Sequence, residues 1–473
     1  MNVLKHIHDY EKSSYQLIGQ SFFLFLVIPA SYLIFLNAMG LNEEIIIQKF
    51  QSPNFFNVNF KYVYYLETIS KYLCIILPVN FLLLLLINYY VGLDHNKVTS
   101  IYIPLYKITW PIIKISSLLI IIIFTFFITI LFNNIFPPIP MRAWTIVPLG
   151  ATALGCFGVF FMIIDIIRKF DKKNYMQIYG IKVSVKDQPD LFKIISNCSK
   201  KIKTEVPENV ILGSTDGFFV TSSDVIVFNK ENAKVLKGKT LYIPLIYLEI
   251  LTKDELTSII GHELAHFSGE DTEYALKFNP IIFSLKQKFA SFDKGFEEAK
   301  ENENESGLTG KIGGFFMRFF LVMLLNPVAY IAINLIKKDS KICINQELRA
   351  DKIGSSLCNN KKSLITGLCK FYIFSHIYNN LYEETSDKKK SLTKTFNKNL
   401  KTYMSNFNIK KDLKNIMEYE MIHPSDTHPP IKDRMKNIGI NIKQISKSDL
   451  EKKTPAATEL IINYDYYDEI LSI

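Results

Sequence analysis

Two hydrophobic patterns divide the chain. Up to about residue 167 apolar positions run almost unbroken; beyond it they recur at helical or strand spacing among many lysines. Four N-terminal stretches, 17–39, 72–93, 111–132 and 145–166, are long enough to cross a bilayer, which needs about 20 residues at roughly 1.5 Å rise each. The runs LLLLLINYYVG and SSLLIIIIFTFFITILF carry no charge, where a soluble helix of that length would show a polar stripe. Pro78 and Pro148 fall inside two of these stretches, which is tolerated where neighbouring helices re-satisfy the freed carbonyls. The pattern predicts a membrane domain over 1–167 with four transmembrane helices. No small-residue cleavage site follows the first apolar run, so it reads as an anchor.

After residue 167 the period changes. Residues 188–203 read as an amphipathic helix opened by Pro189. Short runs follow from Asn209 (NVILG), Gly217 (GFFVTSS), Val225 (VIVFN) and Lys239 (KTLYIP), separated by turn residues; they predict a small antiparallel sheet. A helix then starts at TKDEL, where Thr252 and Glu255 have the spacing of a capping box, and ends at Gly269. A fifth apolar segment, 313–336, carries Asn326-Pro327 near its middle. It reads as a membrane-dipping or buried element within a helical domain spanning 168–442. Residues 443–473 carry no recognisable motif and read as a C-terminal tail.

The candidate chemistry lies in HELAH, residues 262–266, on the capped helix. Residues four apart share one helical face, so His262 and His266 can offer two imidazole nitrogens to one ion. Glu263 stands beside them, near enough to take a proton from a water on that ion without being a ligand. This is the HExxH arrangement of zinc hydrolases. Two histidines leave a tetrahedral site short of a ligand. In NQELRADKIGSSL, Glu347 is the best third ligand, and Asp351, four residues on, could accept a hydrogen bond from a ligand histidine. Ala350, Gly354 and Ser355 would let this helix pack closely on the first. Alone, the same stretch also reads as an ordinary salt-bridged helix, with Arg349 and Lys352 balancing the acids. In THPPIKDRMKNI, His428 could stabilise an oxyanion and Arg434 could orient it or bind substrate, with His423 a nearby rival.

Charge and cysteines place the domain. Lysine and arginine outnumber acids by ten, a balance that suits anionic lipid headgroups; the lysines are scattered and no nucleic-acid-binding signature accompanies them. Arg168, Lys169, Lys172 and Lys173 follow the last span, which puts the rest of the chain on the cytoplasmic side. Lys49, Lys61 and Lys71 in the first outer loop run against that rule. Among the six cysteines no CxxC pair occurs, consistent with reduced thiols.

HELAH at 262–266, ELRAD at 347–351 and THPPIKDR at 427–434, in this order, resemble the integral-membrane zinc endopeptidases of the HtpX-like and CAAX prenyl protease 1 type. YIPLIYLEILTKDELTSIIGHELAHFSG is similar to that family's approach to its active helix, and the resemblance covers roughly 175–440. It implies a mainly helical, zincin-like (gluzincin) domain behind its transmembrane helices. One zinc ion would be held by His262, His266 and Glu347, with Glu263 as base, Asp351 behind the ligands, and His428 and Arg434 near a peptide or protein substrate. The family's Asn-Ala pair on the substrate-aligning edge strand is missing here. The backbone of Gly217, Phe218, Phe219 and Val220 could still pair with an extended peptide, because strand addition uses main-chain groups. Four leading spans, rather than two, also depart from the HtpX-like pattern. A non-catalytic receptor or scaffold and an intramembrane zinc protease are the rival readings. Charges close to the motif, from Lys253 to Asp271, speak against the latter.

Overall fold

The computed structural model describes residues 14–40, 60–91, 176–213, 217–229, 232–269, 271–276, 334–385, 392–407, 409–418, 428–451 and 456–471, with a few isolated positions besides. The chain forms two compact units, residues 1–172 with 280–339, and 173–279 with 340–473.

In the first unit, helices α1 (Ser14–Ala38) and α2 (Phe60–Val91) pack on each other. α1 buries Ile28, Tyr32 and Leu36, four apart on one stripe, and α2 buries Leu66, Ser70 and Leu73. Pro29 and Pro78 sit inside these helices. α1 coincides with the first expected span and the C-terminal part of α2 with the second. The third and fourth spans, and 313–333 of the fifth apolar segment, lie almost wholly outside the described residues. Among the described residues no helix is long and apolar enough to cross a membrane.

The second unit is mostly helical around a six-stranded sheet. Its strands are β1 (Met176–Val183), β2 (Asn209–Gly213), β3 (Phe219–Thr221), β4 (Val225–Phe228), β5 (Ala233–Leu236) and β6 (Thr240–Pro244), with α3 (Pro189–Ile202) between β1 and β2. The order across the sheet is β3-β6-β2-β1-β4-β5. It is mixed rather than antiparallel, because β2 pairs parallel with β6, and β1 with β4. All five residues of β2 and of β6 are buried, as expected of parallel strands covered on both faces. Alternation in the sequence marks a strand's faces but not the direction of its neighbours, and β1 and β5 carry too weak a pattern to be read in advance.

From β6 a 3₁₀ turn (Leu245–Glu249), buried throughout, leads into α4 (Lys253–Ser268). The capping box is formed: Thr252 Oγ1 accepts from the Glu255 amide, and Glu255 Oε2 accepts from the Thr252 amide. Glu255 also ties α4 to a later helix, accepting from Thr366 Oγ1 at 2.7 Å and Lys370 Nζ at 2.8 Å. Lys370 is fully buried and donates as well to the Ile250 carbonyl, at 2.9 Å. The extra hydrogen bonds to both partners offset the cost of burying this charge pair.

The helices that follow are α5 (334–356, of which 340–356 belong to this unit), α6 (Lys362–Thr385), α7 (Leu392–Asn406), α8 (Ile409–Glu418) and α9 (Ile431–Ile438), then short α10 (Lys447–Leu450) and α11 (Tyr464–Leu471). α4 packs between α3 and α6. Leu256, Ile259, Ile260 and Leu264 of α4 join Leu191 and Ile195 of α3, and Leu364, Ile365 and Ile373 of α6, in one core. Fully burying each such side chain is worth about 1.5–3 kcal/mol. Residues beyond 442 belong to this core through Leu450, Ala457, Ile461, Tyr467 and Leu471. Main-chain bonds fasten them. The Ala457 amide donates to the Leu251 carbonyl at 2.8 Å, and the Gln188 side-chain amide brackets the Ile462 backbone at 2.8 and 3.0 Å.

Candidate metal centre

α4 and α5 meet where both are narrow. A Cβ on Gly354 of α5 would come 2.6 Å from the Ser258 carbonyl oxygen and 2.8 Å from the His262 amide nitrogen of α4. A Cβ on Gly261 would lie 3.4 Å from the Gly354 Cα and against the side chain of Leu357, just past α5. The missing side chains let the two backbones touch, and this brings Glu347 over the face of α4 that carries the motif.

His262 and His266 lie on that face with ring centres 5.0 Å apart and planes nearly perpendicular, at 86°. Each turns its Nε2 to one oxygen of Glu347: His262 to Oε2 and His266 to Oε1, both at 3.4 Å. The three donor atoms lie within 4.8 Å of one another. Two ligands about 2.0–2.2 Å from one ion, at a tetrahedral angle, stand roughly 3.3–3.6 Å apart. The spacing and the two-nitrogen, one-oxygen donor set therefore fit zinc. All three residues are buried or half-buried, so an ion there would be shielded from bulk water on the protein side.

Behind each histidine lies a carboxylate held by an arginine. His262 Nδ1 lies 3.0 Å from Asp351 Oδ1. Asp351 is completely buried and grips Arg434 with both oxygens, Nε to Oδ2 at 2.9 Å and Nη2 to Oδ1 at 2.6 Å. Arg434 sits in the first turn of α9, just past Pro429-Pro430, and Asn437 of the same helix donates to the Leu348 carbonyl of α5. His266 Nδ1 meets Asp271 Oδ2 at 2.9 Å, and Arg349 Nη2 donates to that same oxygen. Asp271 is a participant the sequence reading passed over. Its only sequence signal is an acid placed just past the helix-ending Gly269.

The electrostatics follow from these contacts. Burial disfavours a charged imidazole, yet Glu347 and Asp351 raise the His262 pKa, and Asp271 and Glu347 carry that of His266 up to about 10. Burial pushes the Glu347 carboxyl up, but the two histidines and His428 hold it well below the usual range. Asp351 is likewise pushed up by burial and drawn down on balance by His262 and Arg434.

His428 is exposed and places Nδ1 3.3 Å from Glu347 Oε2. Glu263 is half-buried on the motif helix. Arg434, by contrast, is buried, with its guanidinium committed to Asp351 and 3.6 Å from Glu347 Oε2. His423 lies outside the described residues. β3 forms one edge of the sheet, bonded to β6 on one side only, and lies against α4. Within 217–220, Gly217 faces open space. Phe218 stacks on Phe371 at 5.5 Å, and Phe219 on Tyr242 at 4.7 Å.

The family model described as Peptidase family M48 matches residues 188–440, more than half of the chain. A protein named "Protease HtpX homolog" from Syntrophobacter fumaroxidans (strain DSM 10017 / MPOB) is 24% identical over 274 residues, covering 57% of this chain and 82% of the relative. No solved structure matches. The resemblance seen in HELAH, ELRAD and THPPIKDR is thus borne out by a match whose span holds both histidines, Glu347, Asp351 and Arg434, and the chain belongs to peptidase family M48.

Proposed function

We propose that this chain is a membrane-anchored zinc endopeptidase that hydrolyses peptide bonds of membrane or membrane-proximal proteins at the cytoplasmic surface. The observation that carries this reading is the Glu347 carboxylate, with each oxygen 3.4 Å from the Nε2 of one motif histidine. His262, His266 and Glu347 would hold the ion and leave one coordination position open, as hydrolytic rather than structural zinc sites do. When bound, zinc supplies Lewis acidity, polarising a carbonyl and acidifying water.

The remaining work falls to the chain's own side chains. Glu263, half-buried beside His262 on the motif helix, acts as the base. It takes the proton of the attacking water and delivers it to the leaving amine. His428, exposed beside Glu347, donates a hydrogen bond to the oxyanion that develops on the carbonyl. Arg434 serves the reaction through Asp351, by keeping the His262 ring in place. The free edge of β3, with the backbone of Gly217 to Val220, aligns an extended substrate beside α4.

The anchor is supported by composition and by exposure together. On α2, Ile75, Val79, Leu82, Leu83 and Leu86 form an exposed apolar face. Such a contiguous patch marks a membrane or partner surface, and the uncharged runs around it favour lipid.

The test is Glu263→Gln in the full-length protein. Zinc content should stay at the wild-type level while turnover of an unfolded protein substrate falls about 10²–10⁴-fold. Undiminished turnover would remove Glu263 as the base, and absence of zinc from the wild type would remove the metallopeptidase reading.

A further inference from the structure

The second motif histidine is fixed by a chain of contacts that the proposed reaction leaves unused. His266 directs Nε2 at Glu347 Oε1 and Nδ1 at Asp271 Oδ2, on opposite sides of one ring. Asp271 is buried, 7% exposed, in the helical turn at 271–276 just after α4. A carboxylate this deep needs a cation. Arg349 provides it, donating Nη2 to Oδ2 of Asp271 and, at 3.4 Å, to the Ala265 carbonyl at the end of α4. The neighbouring residue is tied as well: Thr272 Oγ1 and Ser222 Oγ, just past β3, share a hydrogen bond of 2.8 Å. Asp271 therefore sits in a turn pinned from two directions.

An imidazole that donates Nδ1–H to a carboxylate has its tautomer fixed, with the Nε2 lone pair aimed outward, and becomes a stronger donor to a metal. We propose that Asp271, clamped by Arg349, is the positioning residue of His266 and sets the zinc affinity of the site. The inference rests on the metallopeptidase reading above. It gives the stretch from Glu347 to Asp351 three roles: a ligand, the clamp on Asp271, and the partner of His262.

The test uses full-length protein in detergent. Zinc affinity is measured by competition with a chromophoric chelator for wild type, Asp271→Ala, Asp271→Asn, Arg349→Ala and Arg349→Lys, and Tm is recorded with and without zinc. Asp271→Ala should weaken zinc binding about 10- to 100-fold. Asp271→Asn, which keeps an acceptor but loses the charge, should weaken it less. Arg349→Lys should recover much of what Arg349→Ala loses, and the Asp271 variants should lose less Tm without zinc than with it. Zinc binding by Asp271→Ala equal to wild type overturns the proposal. So does a zinc-free Tm that falls as far as the zinc-loaded one, since the role would then be structural. A wild-type protein that takes up no zinc overturns the metallopeptidase reading itself, and the wild-type arm reads that separately.

Discussion

At Gly354 the contact atoms are backbone on both sides, which makes the position unusually intolerant. A methyl group there meets the Ser258 carbonyl and the His262 amide at 2.6 and 2.8 Å, and neither can swing aside as a side chain could. Gly354→Ala should cost about 1–3 kcal/mol by overpacking, seen as a lower Tm. It should also weaken zinc binding, because the displaced amide belongs to His262, a ligand in the proposed centre. Gly217→Ala is the control: a Cβ there meets nothing within 4 Å, and Tm should not move. Much of the site was readable at this scale. Helical spacing in HELAH set His262 and His266 on one face with Glu263 beside them, and the small residues Ala350, Gly354 and Ser355 announced a close helix crossing. Asp271 was not readable, because its meaning comes from Arg349, which is distant in sequence and reaches it only after folding.

Among the elements, α4 was the most legible, since its start is set by local hydrogen bonds between Thr252 and Glu255. The sheet was less so. NVILG and TLYIP have no alternation, and that absence itself indicates burial on both faces, yet no local feature states that the two strands run parallel. The segment after residue 442 was opaque for another reason: it is fastened through main-chain groups, as at Ile462 and Ala457, which leave no mark in the sequence. One side-chain anchor there is testable. Lys362 of α6 meets Asp449 of α10 at 2.5 Å. Burial pushes the Asp449 carboxyl up, but Lys362 and Ser446 hold it well below the ordinary carboxylate range. A depressed folded pKa stabilises the fold above the unfolded value, about 3.9, and that support fades as pH falls through the folded one. Asp449→Asn should therefore lower Tm at pH 7. The gap to wild type should narrow progressively as the pH drops below about 4; a gap independent of pH would sever the link.

For the whole molecule, the apolar N-terminal region and the exposed face of α2 lead to a fractionation experiment. The full chain should stay with the membrane pellet through an alkaline carbonate wash and come into solution only with detergent; release by carbonate alone would argue for peripheral attachment. Within the second unit, one feature constrains how the centre can come into being. Glu347, Arg349 and Asp351 leave α5 within little more than one turn and reach both histidines, one directly, one through Asp271, and each with its own oxygen of Glu347. Sliding that helix by a single residue would unseat all of these partners together. Intermediate registers thus have nothing to offer an ion, and loading with zinc should be an all-or-none event, with no half-built site that binds metal but cannot cut.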